Sequence, residues 1–378
     1  MKIGKHIVTK KEILKISGLA VLVCLCVFGA VKVNSCRKIK GIGFPASYLL
    51  AAFDTTGTGG NNGSVIYYDE NFKEVFRQDI PMGKICNSYN PPVVYKDKVY
   101  VAPFGDAYWG GVEEVLEIDR KTGKQKKYKT NLVYAQGLAV AEDYVFTVNN
   151  LDGITHLVRT EKESGEILEL SYPGEFSMQI DVYGQYLYYF MFREDAEGGY
   201  QAGCRIIDID SMKEAGGFDI TEYGKEPDYT YMKDKILYMP IAHTSTDEHC
   251  GILLKYDTET KMLEAVDLGY DLPCQILEYE GKLVITHVNL SYANPGECSV
   301  SFYDLKTGHL ENYAVESTLD QAVIKDGKMY ALDTQEQKIF IYDMDVKGDA
   351  LELKGSYKLK SKDGTVPYRY YTGGFFMR

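Results

Sequence analysis

VIYYDENFK (65–73), LEIDRKTGK (116–124) and LLKYDTETK (253–261) share one layout: a β-rich strand, an Asp, a turn, then Gly or Lys four residues after the Asp. The pattern recurs as IIDIDSMKE around Asp210, VSFYDLKTG around Asp304 and IFIYDMDVK around Asp343. A degenerate copy, LVRTEKESG, places Glu161 where the Asp belongs. The spacings between successive copies are 50, 42, 49, 47, 47 and 39 residues. The Asp has a physical task, because its carboxylate accepts from backbone N–H groups two residues on and closes a hairpin turn. The following Gly supplies the left-handed conformation that such turns need.

A second hairpin precedes each copy. VVYKDKVYVA (93–102), LAVAEDYVFTV (138–148), YTYMKDKILYM (229–239), ILEYEGKLVITHV (276–288) and AVIKDGKMYAL (322–332) alternate large apolar and polar residues around tight turns. Two hairpins make four strands in about 47 residues, the period of a propeller blade. No segment after residue 40 sustains a 3.6-residue period, which excludes helical solenoids. YLLAAFD (48–54) reads as the second strand of a blade lacking its first, and TVPYRYYTGGFFMR (365–378) as a first strand with no blade after it. Joined, they complete a seventh blade and remove the exposed edges. The expected fold is therefore an all-β, seven-bladed β-propeller of four-stranded blades, closed by N- and C-terminal strands sharing one blade. A β-sandwich pair and an eight-bladed ring with one unrecognised copy are the alternatives.

The copies, KVYVAPF (98–104) followed by VLEIDRKTGK (115–124) most clearly, resemble the YVTN-type, quinoprotein-like seven-bladed propellers. The resemblance covers residues 48–378 and implies the fold. It also implies one enzymatic possibility, since seven-bladed propellers of similar look include lactone hydrolases and lyases. The Trp-bearing blade motif of the quinone-binding dehydrogenases is missing from a chain with a single Trp.

The chain's 378 residues carry a formal net charge of −12, unevenly distributed. Residues 1–40 hold nine Lys/Arg and one acid, net +8, and the rest holds 33 basic against 53 acidic side chains, net −20. So acidic a domain repels phosphate backbones, and nucleic acid is excluded as a partner. Residues 16–31, ISGLAVLVCLCVFGAV, are uncharged and apolar on every side. With Lys15 and Lys32 snorkelling, Ile13–Val33 is long enough to cross a bilayer roughly 30 Å thick. The expected organisation is a basic cytoplasmic N-terminus (1–12), a transmembrane signal anchor (13–33), a linker (34–47) and an extracytoplasmic propeller (48–378), monomeric because the ring buries its own edges. Val33-Asn34-Ser35-Cys36 is a poor lipobox, so a lipoprotein cut before Cys36 is the competing reading, with a cleaved secretory signal behind it.

The loops between second and third strands are long: 54–63, 103–111, 193–203, 243–249 and 289–297. They share one face with the connections between blades, and long loops in a tight repeat carry function more often than minimal turns do. On that face the ligand-binding candidates are Tyr89, Phe104, Asp106, Tyr108, Trp109, Tyr200, Asp228, Tyr270 and Asp271, with Tyr172, Tyr229 and Tyr292 nearby. Flat rings beside carboxylates suit sugar rings or cationic peptide side chains. Trp109 between Gly105 and Gly110-Gly111 is the expected anchor. His243, His249, Cys250, Cys274 and His287 form a weak metal set with no C-x-x-C or H-x-x-x-H spacing. Five cysteines after residue 40, an odd number, suit free thiols better than complete pairing, although Cys274 with Cys250 or Cys298 would bridge blades. No P-loop, calcium loop, G-x-S-x-G or H-E-x-x-H is present, so no cofactor and no catalytic residue is assigned. The reading is a non-catalytic binding module for a protein, peptide or surface glycan, with a lactone hydrolase or lyase as the alternative. Alkaline carbonate should leave the full-length protein in the membrane pellet, and release into the supernatant would remove the anchor.

Overall fold

The computed structural model describes residues 43–56, 63–87, 89–103, 113–133, 135–194, 198–288, 299–346, 348–361 and 370–378. The proposed anchor at 13–33 lies outside them, and no helix among the described residues is long and apolar enough to cross a membrane. Residues Met1–Pro45 and Ala46–Arg378 are separate units, and the description that follows concerns the second.

The described residues form 28 strands in seven four-stranded antiparallel sheets. Blade 1 contains β1 (Leu50–Thr56), β2 (Gly63–Tyr68) and β3 (Glu74–Ile80). Blade 2 is β4 (Val93–Tyr95), β5 (Lys98–Val101), β6 (Glu114–Asp119) and β7 (Gln125–Lys129). Blade 3 is β8 (Gly137–Val140), β9 (Tyr144–Leu151), β10 (Ile154–Glu161) and β11 (Ile167–Pro173). Blade 4 is β12 (Ile180–Tyr183), β13 (Tyr186–Glu194), β14 (Tyr200–Asp208) and β15 (Lys213–Asp219). Blade 5 is β16 (Tyr231–Lys233), β17 (Ile236–His243), β18 (His249–Asp257) and β19 (Leu263–Asp267). Blade 6 is β20 (Pro273–Tyr279), β21 (Lys282–His287), β22 (Ser299–Asp304) and β23 (Leu310–Ala314). Blade 7 is β24 (Gln321–Lys325), β25 (Lys328–Asp333), β26 (Lys338–Asp343) and β27 (Leu353–Lys358). The last strand, β28 (Tyr370–Met377), pairs with β1 as the inner strand of blade 1. The first strand of each blade lies toward the axis, where β8 meets β12 and β20 meets β24, and the ring closes where β24 meets β28.

Both faces of a blade are covered by neighbours, so the middle strands read as nearly unbroken apolar runs such as YLYYF (186–190) and ILYMPI (236–241). Leu50, Ile66 and Phe375 of blade 1 pack on Leu332 and Ile339 of blade 7, and Phe190 and Ile206 of blade 4 pack on Leu237 and Leu254 of blade 5. The outermost strands, such as β15, are mostly exposed and polar.

The turn chemistry follows the repeat. Asp119 Oδ1 accepts from Lys121 N at 2.9 Å and Thr122 N at 2.8 Å, and Asp304 Oδ1 accepts from Lys306 N and Thr307 N at 3.0 and 2.7 Å. Asp69, Asp257 and Asp343 do the same. In blade 4 the expected Asp210 is corrected to Asp208, which ends β14 and accepts from Ser211 N at 2.9 Å. A left-handed residue follows most of these carboxylates three or four positions on even where it is not Gly, as at Phe72 (φ 56°), Met212 (φ 54°) and Lys261 (φ 63°).

Closure is the ladder from Leu50↔Met377 to Thr56↔Tyr370. Gly373 permits it, because a Cβ there would lie 2.3 Å from the Cys86 carbonyl oxygen. Gln321 stitches the closing seam from the side: its Nε2 donates to Phe375 O at 2.8 Å and its Oε1 accepts from Phe375 N at 2.9 Å. Phe375, Phe376 and Met377 are buried, which is worth roughly 5–9 kcal/mol for three such side chains against a typical domain stability of about 5–15 kcal/mol. Truncation before Tyr370 should therefore give a protein that aggregates or melts far below the full chain in a thermal scan, and an unchanged melting temperature would refute the shared blade.

Candidate functional site

The face that carries the loops between second and third strands also carries the blade-to-blade connectors, and two connectors shape a site at the seam of blades 5 and 6. Residues 220–230 run from β15 to β16. Gly224 (φ +147°) lets them press onto the end of β17, where a Cβ would sit 2.2 Å from His243 O, and Lys225 N donates to that same carbonyl at 2.9 Å. Residues 268–272 run from β19 to β20 and are held on β18 by Leu268 N to Gly251 O at 2.8 Å and Leu272 N to Cys250 O at 2.9 Å. A Cβ on Gly251 would be 1.9 Å from Tyr270 O, so only Gly fits.

A cavity of about 60 Å³ results, lined by Tyr89, Asp228, Ala242, His243, Leu272, Cys274 and Val288. Two of the expected ligand-binding residues, Tyr89 and Asp228, thus meet two of the weak metal candidates, His243 and Cys274. Tyr270 and Asp271 are exposed beside it. Tyr200 lies on the same face, but Lys225 Nζ is 3.8 Å from its ring centroid and occupies it. Phe104, Asp106, Tyr108 and Trp109 lie outside the described residues, as do Tyr292 and Cys298. Tyr172 does not belong to the face: it stacks on Tyr189 at 4.9 Å between blades 3 and 4, under the Arg205 guanidinium.

The metal set comes apart. His287 is buried with both ring nitrogens engaged, Nδ1 with Asp271 O at 2.9 Å and Nε2 with Ser301 Oγ at 2.7 Å. The Cys250 thiol donates to Ile241 O at 3.4 Å, and no group of three or more His, Cys, Asp or Glu among the described residues is arranged to hold a metal. Cys86, Cys204, Cys250 and Cys274 are free thiols. Burial pushes Cys86, Cys204 and Cys274 well above the usual thiol range, so they are poor nucleophiles at neutral pH.

What stands out near the axis is carboxyl groups without cations. Burial pushes Asp228 up to about 6. Glu226 is pushed up to about 8 by burial, with Asp228 adding repulsion, and its Oε2 has no hydrogen-bond partner among the described residues. Asp181, on β12, is raised to about 6 by burial although Gln179 Nε2 and Thr230 Oγ1 each donate to its Oδ2 at 2.5 Å. Asp320 is also raised by burial, against donation from Thr334 N and Oγ1. Tyr229 sits within electrostatic reach of Cys274, Asp228, Asp181 and Cys86, which places these groups in one axial cluster. Among the described residues only Lys225 offers a cation to the carboxyls, and it is already paired with Asp247 at 2.7 Å. Glu226 and Asp181 were missed by the sequence reading. The available signal was two acids around Pro227 in a connector, and an acid inside an inner strand.

No protein-family profile matches the chain, and no curated protein matches it in sequence. Solved structures do match. A candidate 6-phosphogluconolactonase from Bacteroides uniformis superposes with a TM-score of 0.57 at 13% identity, over 88% of this chain and 100% of that one. Its counterpart from Bacteroides fragilis gives 0.54 at 12% over 88% and 98%, and a periplasmic gluconolactonase from Pseudomonas aeruginosa gives 0.53 at 12% over 83% and 97%. At such identities the likeness establishes the fold alone: the chain folds as a seven-bladed β-propeller.

The raised carboxyls set a pH dependence. A carboxyl that holds its proton more tightly when folded contributes fully below its ordinary value near 4 and loses that contribution as pH climbs through its folded value. D228N and E226Q should therefore raise the melting temperature at pH 8 and leave it unchanged at pH 4. The gain is on the order of 1–2 kcal/mol each, after discounting for solvent in the channel. Destabilisation at pH 8 would show that these carboxylates are compensated.

Proposed function

We propose that the chain is a membrane-tethered, extracytoplasmic binding propeller whose channel mouth takes an amine- or guanidinium-bearing peptide or protein segment. The observation that carries this reading is the cluster of Asp181, Glu226 and Asp228, all raised by burial and none with a free cation at hand among the described residues. An incoming ammonium or guanidinium supplies the missing charge, and Tyr270, exposed at the mouth, offers a ring face to it. The acidic balance beyond residue 40 steers the same class of ligand toward the domain. The uncharged apolar run at 16–31 with its basic flanks supports a single span with the propeller outside the cytoplasm.

A second reading is hydrolysis of a neutral lactone. It is favoured by the names of the solved neighbours and by carboxyls held near neutrality, where a general base works best. The acidic mouth disfavours a phosphorylated lactone.

Calorimetric titration of the full chain with Lys/Arg-containing peptides decides between them. Binding should weaken about tenfold or more from pH 8 to pH 5 and on D228N/E226Q substitution, with proton release on binding at pH 6–7. Affinity indifferent to pH and to both substitutions would remove the cationic-ligand reading. Turnover of neutral lactones in a pH-stat, abolished by D228N, would replace it with the hydrolase.

A further inference from the structure

The cavity at the mouth encloses about 60 Å³, room for roughly four water-sized groups. It sets one carboxylate among mainly apolar walls. Asp228 meets no donor or cation among the described residues, and its oxygens are not sealed from solvent, so the carboxylate opens on this space. Ala242, Leu272 and Val288 supply the apolar lining, with Ala242 and Val288 only 8% and 9% exposed. Burial keeps the Cys274 thiol protonated and holds the His243 imidazole below its ordinary range. Asp228 is therefore the single formal charge of the lining at pH 8. Tyr89, the one exposed residue of the lining, marks the way in.

The recess is set by backbone. Leu272 holds a left-handed φ of 58°, uncommon for any residue but Gly. Two hydrogen bonds keep it there: its N donates to Cys250 O at 2.9 Å, and its O accepts from Val288 N at 3.0 Å. Beside it the ladder between β20 and β21 slips between Pro273 and Ile276, the stretch that carries Cys274. A wall fixed in this way is preformed, which spares a ligand the cost of ordering it.

We propose that this cavity selects a primary alkylammonium, the end of a lysine side chain or of a free diamine, over a guanidinium. The inference rests on the cationic-ligand reading above and narrows it. The carbonyls of His243 and Leu272 already accept from Lys225 N and Val288 N, which leaves the Asp228 carboxylate as the strong acceptor of the lining. An ammonium brings three donors on a compact head, and its methylene stem packs on Ala242, Leu272 and Val288. A guanidinium brings five donors in a rigid planar fork, and those that the one carboxylate cannot meet would lose their hydration against apolar walls.

The test is calorimetric titration of the full chain at pH 8 with acetyl-Gly-Gly-Lys-Gly-Gly-amide, its arginine and norleucine counterparts, and cadaverine. The lysine peptide should bind at least tenfold more tightly than the arginine peptide, and the norleucine peptide should not bind. Cadaverine as tight as the lysine peptide identifies a free diamine as the ligand, and weaker cadaverine identifies a side chain; both support the ammonium site. D228N, which keeps the shape and removes the charge, and A242L, which fills the cavity, should each weaken lysine-peptide binding about tenfold. The D228N melting temperature should not fall, so a folding defect in A242L leaves the first variant decisive. Equal or tighter binding of the arginine peptide overturns the selectivity and leaves the cationic-ligand reading standing. Binding of neither peptide overturns both. Lysine preference unchanged in D228N overturns the assignment to this cavity.

Discussion

The ring depends on one ladder, the pairing of β28 with β1. Every other blade is built from consecutive strands, and each of those could form as a local meander. Blade 1 alone joins segments about 320 residues apart in the chain, with Leu50 beside Met377 and Thr56 beside Tyr370. While that ladder holds, the inner strands face one another around the axis and each blade finds a neighbour on both faces. Without it, β1 presents an open edge, and Phe53 and Leu332 lose the aromatic rings that cover them. The glutamine stitch from Gln321 to Phe375 shows the same constraint at the level of single atoms, since a side chain there does the work of a missing ladder pair.

Once seams are packed that tightly, their polar content becomes costly and therefore informative. Most polar groups in the seams are answered: Glu117 accepts from Tyr100 and Tyr128 at 2.9 and 2.6 Å, and Arg159 donates to Ile209 O at 2.9 Å. The axis departs from that rule. There burial raises the carboxyls of Asp181, Glu226 and Asp228, and no cation among the described residues is left over to offset it. That end of the molecule lacks positive charge.

The architecture was legible because it is written in turn chemistry. The Asp-to-backbone bonds at Asp119, Asp257 and Asp304 repeat at blade spacing, and the paired left-handed residues Asp234–Lys235 and Asp326–Gly327 close the KDK and KDG hairpins. The slip from Asp208 to Asp210 arose where IDID offers two acids in alternation, and only the strand's end distinguishes them. The site was legible in outline: Tyr89 and Asp228 lie in connectors, and the connectors converge. What stayed hidden was pairing across blades. Nothing local to Asp181 announces Thr230, and nothing local to His287 announces that Ser301 and Asp271 consume both of its nitrogens.

The shared blade also bears on biosynthesis. β1 is among the first strands made, yet its inner partner begins at Tyr370. At roughly 5–20 residues per second, that partner emerges on the order of a quarter of a minute to a minute later. For that interval the first blade has an unsatisfied inner edge, while blades 2 to 6 can already stack on one another. Completion is therefore a final, all-or-none event timed by the arrival of a few C-terminal residues. A premature stop or a late frameshift leaves a nearly finished ring with an adhesive edge, a species suited to recognition by proteases and chaperones.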